Sequence, residues 1–466
     1  MFVFICRAYN YMLFLHNEMK ETMKHKILVI LLLCAGMFSN DINGQGVEAV
    51  SAYEFVNSIG ACVHVQHGQD ASRLAPLLRY VGIKNVRDAA DRNYDMSGLL
   101  LLNRKAGVKV VIGPGSGACH EDMAETLTMA RTLHRAGALL AIEGPNEPNN
   151  FGGVEYEGVK GGGSATWLPV AKLQRDLYAA VKADPELNKY PVYGISETGA
   201  QTDNCGLQFL VIPTGANTLM PDGTRFADYA NIHNYIYHPA WPNAPHDNQV
   251  WDAADPGADC HADGVYGNCG KTWVKKFDGY SLDDLETLPR VTTETGAVVG
   301  SFDGKITEHV QGCNFMNLFL AQYMRGWNKT FIYELIDDPD GAFGFYGADY
   351  TTKRKSADYM HNFTTLLADL KPLKLTRRLD YKFAGPLPET VHDLLIAKND
   401  GSFWLVVWGE KVSGSDKVDV LLPRSVRNVE IYDPTVGITP LYKFKGSETQ
   451  TVSLDISDHP ILLRIK

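Results

Sequence analysis

Two short segments of this chain set a glutamate at the point where an apolar run ends. In the first, Ala138-Leu-Leu-Ala-Ile142 leads into Glu143-Gly-Pro-Asn146-Glu147-Pro148-Asn149. In the second, Leu288-Pro-Arg-Val-Thr-Thr-Glu294-Thr-Gly296 delivers a glutamate just before a glycine. Breaking an acetal bond between sugars needs one carboxyl to protonate a poor leaving oxygen and another, ionised, to meet the positive charge that grows on the ring. Two glutamates carried to one place by two strand ends suit that chemistry, provided their surroundings differ enough to keep one protonated and the other not.

The elements around them decide whether they meet. Apolar runs consistent with strands occur at 59–65, 84–87, 108–112, 139–143, 191–196, 229–234, 290–294 and 330–334. Between and after them, helical periodicity marks 71–80, 121–136, 166–183, 310–325 and 356–370. Eight strands, each usually followed by a helix, predict an α/β fold of the (β/α)8 TIM barrel type, whose active site lies at the C-terminal ends of its strands. From about Lys371 the pattern changes to short strands without helices, as in Phe403-Trp-Leu-Val-Val-Trp408 and Val429-Glu-Ile-Tyr432, which predicts a small all-β sandwich. The expected division is 1–46 leader, 47–370 barrel and 371–466 sandwich. The connection from Tyr237 to Leu288 is far longer than an ordinary loop, and its Trp241, Trp251, Tyr266 and Trp273 are candidate sugar platforms or, equally, residues that pack the loop on itself.

With 466 residues, 45% hydrophobic and 21% charged, the chain is large enough for one big core and a smaller one. A net charge of -10 offers no basic footprint for nucleic acid or anionic membrane. Lys24-His-Lys26, the apolar stretch Ile27 to Leu33 and the polar exit Ser39 to Gly46 read as a signal peptide, with Met1 to Thr22 as an upstream segment and Met19 or Met23 as alternative starts. The apolar run is too short to span a bilayer. The expected location is secreted or periplasmic, with no membrane insertion after signal removal. A lipid anchor at Cys34 is disfavoured by the large Leu33 before it. Of the remaining cysteines (Cys62, Cys119, Cys205, Cys260, Cys269, Cys313) none forms a CxxC pair, and Cys260 with Cys269 is either a small loop disulfide or two thiols.

In this frame the sequence resembles clan A of the retaining glycoside hydrolases. The residues that carry the resemblance are Asn146-Glu147-Pro148 on the fourth strand, His233-Asn-Tyr235 on the sixth, Thr293-Glu294-Thr-Gly on the seventh, and Phe331-Ile-Tyr-Glu-Leu-Ile-Asp-Asp338 followed by Phe343-Gly-Phe-Tyr346 at the eighth. It covers roughly 59–370 and implies Glu147 as general acid/base and Glu294 as nucleophile, with carboxyls about 5 to 5.5 Å apart. Asn146 suits a hydrogen bond to the sugar 2-OH, Tyr235 one to Glu294, and Arg87 a positive charge beside the nucleophile. His64, His233, Trp241, Tyr333 and Glu334 are further candidate substrate contacts.

Each residue also has a plainer reading. A strand-end glutamate can cap a helix or pair with a lysine, Arg87 can pair with Asp88, and His233 can be a satisfied pocket histidine. Ser196-Glu197-Thr-Gly199 repeats the nucleophile's local pattern, so by local chemistry Glu197 equals Glu294; strand position favours Glu294 and leaves Glu197 as a substrate contact. Glu143 is expected to point into the barrel or its rim.

No metal or cofactor is expected. There is no HExxH, GxSxG or Walker loop, and the acidic run Asp337-Asp338-Pro-Asp340-Gly341 lacks EF-hand spacing. The reading is therefore an exported retaining hydrolase of a β-linked polysaccharide or oligosaccharide, first an endo-acting β-glucanase. An exo-acting β-glycosidase and a non-catalytic glycan-binding barrel are the alternatives.

Overall fold

The computed structural model describes residues 46–90, 96–198, 207–216, 220–236, 245–255 and 287–466, of which those from Val47 onward belong to one compact unit. The leader, Trp241, Tyr266, Trp273, Cys205, Cys260 and Cys269 lie outside the described residues. Among the described residues no helix is long and apolar enough to cross a membrane.

Eight parallel strands form the barrel: β1 Ile59–Cys62, β2 Asn85–Ala90, β3 Lys109–Pro114, β4 Leu139–Ile142, β5 Glu197–Thr198, β6 Ala230–His233, β7 Arg290–Thr295 and β8 Trp327–Ile332. They pair in ring order, with β8 against β1, and the ring closes between β4 and β5 through the parallel bridges Ile142 to Val192 and Asn146 to Ser196. The fifth strand is expected at 191–196 but ladders only at Glu197–Thr198, its earlier residues making isolated bridges at Val192, Tyr193 and Ser196.

Inside the ring, Cys62, Val111, Ala141, Tyr193, Val291 and Phe331 fill the axis, all almost fully buried. Burying a side chain the size of Phe331 contributes about 1.5–3 kcal/mol. Outside it, the strands pack against helices Ala71–Val81, Met96–Ala106, His120–Arg135, Leu168–Ala183, Glu308–Met324 and Lys355–Leu367. The first is started by Asp70, whose side chain accepts from Ser72 N at 2.8 Å, and Glu308–Met324 by Thr307 in the same manner. Met96–Ala106 is the helix that periodicity does not reveal, because Gly98 and four consecutive leucines, Leu99 to Leu102, blur its apolar stripe.

The C-terminal strands form a seven-stranded and a three-stranded sheet. Val47–Ser51 enters the larger one, pairing antiparallel with Arg377–Leu379 and parallel with Val391–Ala397, so the chain visits this layer before it builds the barrel. The two layers share one apolar core through Leu394, Trp404, Trp408 and Leu462. Asn317 donates from Nδ2 to the carbonyls of Gly409 and Asp458, both at 3.0 Å. Trp251, a candidate sugar platform by sequence, stacks instead on His392 at 3.9 Å and lies under Arg325 at 4.0 Å. Its aromatic face is occupied by packing against the C-terminal layer.

Candidate active site

Asn146 and Glu147 sit in the turn after β4, and Glu294 is the penultimate residue of β7. Glu147 has φ 40°, a left-handed conformation that costs a non-glycine residue about 1–3 kcal/mol. The surroundings hold it there: its N–H donates to Ser196 O at 2.8 Å and its carbonyl accepts from Asn150 N and Phe151 N, both at 3.0 Å. Two glycines permit the close approaches below the site. A Cβ on Gly113 would lie 2.6 Å from Glu143 O, and one on Gly296 would lie 2.4 Å from Tyr333 O.

One oxygen of Glu147, one ring nitrogen of His233 and one oxygen of Glu294 lie within 4.8 Å of one another. Arg87 ties the cluster together from β2. Its guanidinium donates to Glu294 Oε2 at 2.9 Å, to both Glu143 oxygens at 2.9 and 3.0 Å, and to Asn146 Oδ1 at 2.6 Å. Asp88 is not its partner; that carboxyl accepts from Ala89 N at 2.9 Å, and burial pushes it up to about 8. Tyr235 donates its hydroxyl to Glu294 Oε1. Burial first, then the charge of Glu294, holds the Tyr235 phenol well above its ordinary range, so it remains a donor.

The proton inventory follows from the hydrogen bonds. Thr293 Oγ1 lies 3.1 Å from Glu143 Oε1, 3.0 Å from Asn231 Oδ1 and 3.1 Å from His233 Nε2. A hydroxyl has one proton to give, and the first two neighbours accept only, so Thr293 receives from His233 Nε2–H. That leaves Nδ1 of His233 facing Glu147 Oε1 at 2.6 Å with one proton between them. With the proton on nitrogen, burial raises Glu147 but the His233 hydrogen bond and charge, helped by Asn150 and Thr198, outweigh it and hold the carboxyl below its usual range. With the proton on oxygen, Glu147 is an acid, and the net charge of the cluster is unchanged. For Glu294, burial raises the carboxyl, with the Glu147 charge adding to it, against the pull of His233, Arg87 and Tyr235. Shifting the shared proton to Glu147 removes the like charge and leaves Arg87 and Tyr235 to keep Glu294 ionised.

Glu147, Glu294, Asn146, Arg87, His64, Tyr235 and Tyr333 all line one open cavity of about 1040 Å³. His233 and Glu197 are completely buried and are not among its lining residues. Glu334 lies behind the surface, 3.5 Å from His64 Nδ1. Burial, followed by the charge of Asp338, raises the Glu334 carboxyl to about 10, and burial lowers His64 to about 4, so both are neutral near pH 7. The acidic run after β8 is engaged internally: Asp337 pairs with Arg354, and Asp338 accepts from Tyr333 Oη and Asp340 N.

Two contributors, Thr293 and Phe151, escape the sequence reading, and a third, Glu143, is expected there only to point into the barrel or its rim. Glu143 and Thr293 fix Arg87 and His233, and the period-two alternation from buried Val291 would have placed Thr293 on the inner face. Phe151, 62% exposed on the cavity rim, is an aromatic surface that follows directly from the Asn-Glu turn.

No family model matches the sequence, and a search of curated proteins finds no match. Solved structures do match in fold. A family 39 glycoside hydrolase from the gut symbiont Bacteroides cellulosilyticus WH2 aligns with a TM-score of 0.55 at 17% identity, over 89% of this chain and 81% of that one. A GH51 arabinofuranosidase from Xanthomonas axonopodis pv. citri aligns at 0.53 and 12%, over 91% and 98%. A glycoside hydrolase family 30 subfamily 8 xylanase from Clostridium acetobutylicum gives 0.52 and 11%, over 91% and 97%. The chain therefore has the barrel-plus-sandwich fold that these glycoside hydrolases share.

Proposed function

We propose that this protein is an exported retaining glycoside hydrolase of β-linked glycans, acting as an endo-β-glucanase. The observation that carries the reading is the approach of Glu147 and Glu294 to within 4.8 Å in one cavity. Carboxyls about 5–5.5 Å apart belong to double displacement, whereas inversion needs about 6.5–9.5 Å to admit a water between them. Glu147 gives its proton to the glycosidic oxygen as Glu294 Oε attacks the anomeric carbon, the bond to the leaving sugar breaks, and a glycosyl ester forms on Glu294. Glu147 then removes a proton from water, the water oxygen attacks the same carbon, and Glu294 leaves as a carboxylate. Asn146, with Oδ1 occupied by Arg87 and one Nδ2 proton given to Ser116 Oγ at 3.1 Å, presents its second Nδ2 proton to the sugar 2-OH.

The open cavity and the exposed Phe151 at its rim support a chain that continues past the scissile bond, since an exposed ring stacks on a sugar face. The basic-then-apolar leader supports export. The test is hydrolysis of a panel of β-glucans, xylans, mannans and galactans with chromatography of the products. Short oligosaccharides from one β-glucan are expected. Monosaccharide release from chain ends would replace the endo reading with an exo one, and binding without cleavage would replace the hydrolase with a glycan-binding barrel.

A further inference from the structure

Away from the cavity, where helix Glu308–Met324 meets the C-terminal sheet, His309, Cys313, Asp458 and His459 bring one ligand atom each within 4.8 Å of all the others. His309 and Cys313 are four residues apart on one helix face, while Asp458 and His459 form the turn entering strand Pro460–Ile465. His309 Nε2 is 3.1 Å from Asp458 Oδ2 and 3.6 Å from Cys313 Sγ, and His459 Nδ1 is 2.7 Å from Asp458 Oδ1. A tetrahedral zinc with Zn–N about 2.0 Å and Zn–S about 2.3 Å has ligand-to-ligand edges of about 3.3–3.6 Å. The second nitrogen of each imidazole is already engaged: His309 Nδ1 faces Tyr359 Oη at 2.9 Å, and His459 Nε2 faces Asp433 Oδ2 at 3.3 Å. Such outer partners fix which nitrogen points inward, as they do around histidine-bound metals. A cavity of about 230 Å³ lined by Cys313, Asn314 and Asp458 gives an ion access.

We propose that these four side chains bind a structural zinc ion that clamps the barrel helix to the C-terminal sheet. Binding takes up a thiolate, two imidazole nitrogens and a carboxylate, and releases to water the thiol proton and any imidazole proton on the two ligating nitrogens. The experiment is metal analysis and cobalt(II) substitution of the full chain, with Cys313→Ala alongside. Expected are about one zinc per chain, a thiolate-to-cobalt charge-transfer band, and a Tm several degrees lower after chelation; the variant keeps its barrel circular dichroism but loses the band and the metal. A folded wild-type protein that takes up no zinc and gives no cobalt band would overturn the proposal, leaving protons shared among His309, His459, Asp433 and Asp458 as the link. A band that survives in Cys313→Ala would overturn it equally.

Discussion

Replacing Glu294 with alanine is expected to lower kcat on the glucan by on the order of 10⁴- to 10⁶-fold while leaving the fold intact. Glu197, its equal by local sequence, is fully buried and off the cavity, and Glu147 is committed to the proton. The variant should fold because Arg87 keeps both of its bonds to Glu143 and its bond to Asn146. The space vacated beside Arg87 admits a small anion, so azide is expected to restore part of the rate with an activated β-glycoside and to give the α-glycosyl azide. Kinetics of Glu294→Ala and Glu197→Gln, each with and without azide, check this. Azide rescue in the Glu197 variant, or near-normal turnover in Glu294→Ala, would contradict the assignment.

The second large effect is that of Glu147→Gln. Glucan hydrolysis should fall by about 10²- to 10⁴-fold, because the leaving alkoxide must depart without a proton. A nitrophenyl β-glycoside needs no such help, so stopped-flow is expected to show a burst of nitrophenolate followed by slow turnover as the ester on Glu294 waits for an unactivated water. The pH profile should change on its alkaline side. In the wild type, activity is present above the pKa of Glu294 and lost as pH falls through it, and burial with the Glu147 charge sets that acid limb above an ordinary glutamate's. The alkaline limb is loss of the proton that Glu147 gives to the leaving oxygen. In Glu147→Gln the alkaline limb should vanish, while the acid limb, set first by burial of Glu294, should stay above an ordinary glutamate's. An unchanged bell would place the acid elsewhere.

The sequence made the two glutamates legible because each follows a run of apolar residues that must be a buried strand, and strand counting set them on β4 and β7. Arg87 and Tyr235 were legible for the same reason. What connects them was not. That Arg87 is shared among Glu143, Glu294 and Asn146, and that Thr293 fixes the tautomer of His233, depends on which side chains the ring closure brings face to face. Trp251 shows the opposite failure: an aromatic in a long, polar connection reads as a sugar platform, yet it packs on His392 from a strand more than a hundred residues later. The entry of Val47–Ser51 into the C-terminal sheet and the meeting of His309 and Cys313 with Asp458 and His459 are likewise products of long-range docking, with no local spacing to announce them.

Two glutamates less than 5 Å apart at their nearest oxygens are expected to act in succession on one anomeric carbon. Proton NMR of a β-glucan oligosaccharide, recorded during the first minutes of hydrolysis, tests it most directly. The β-anomer of the new reducing end is expected first, with the α-anomer following only by mutarotation. First appearance of the α-anomer would mean a single inverting displacement and would contradict the role given to Glu294.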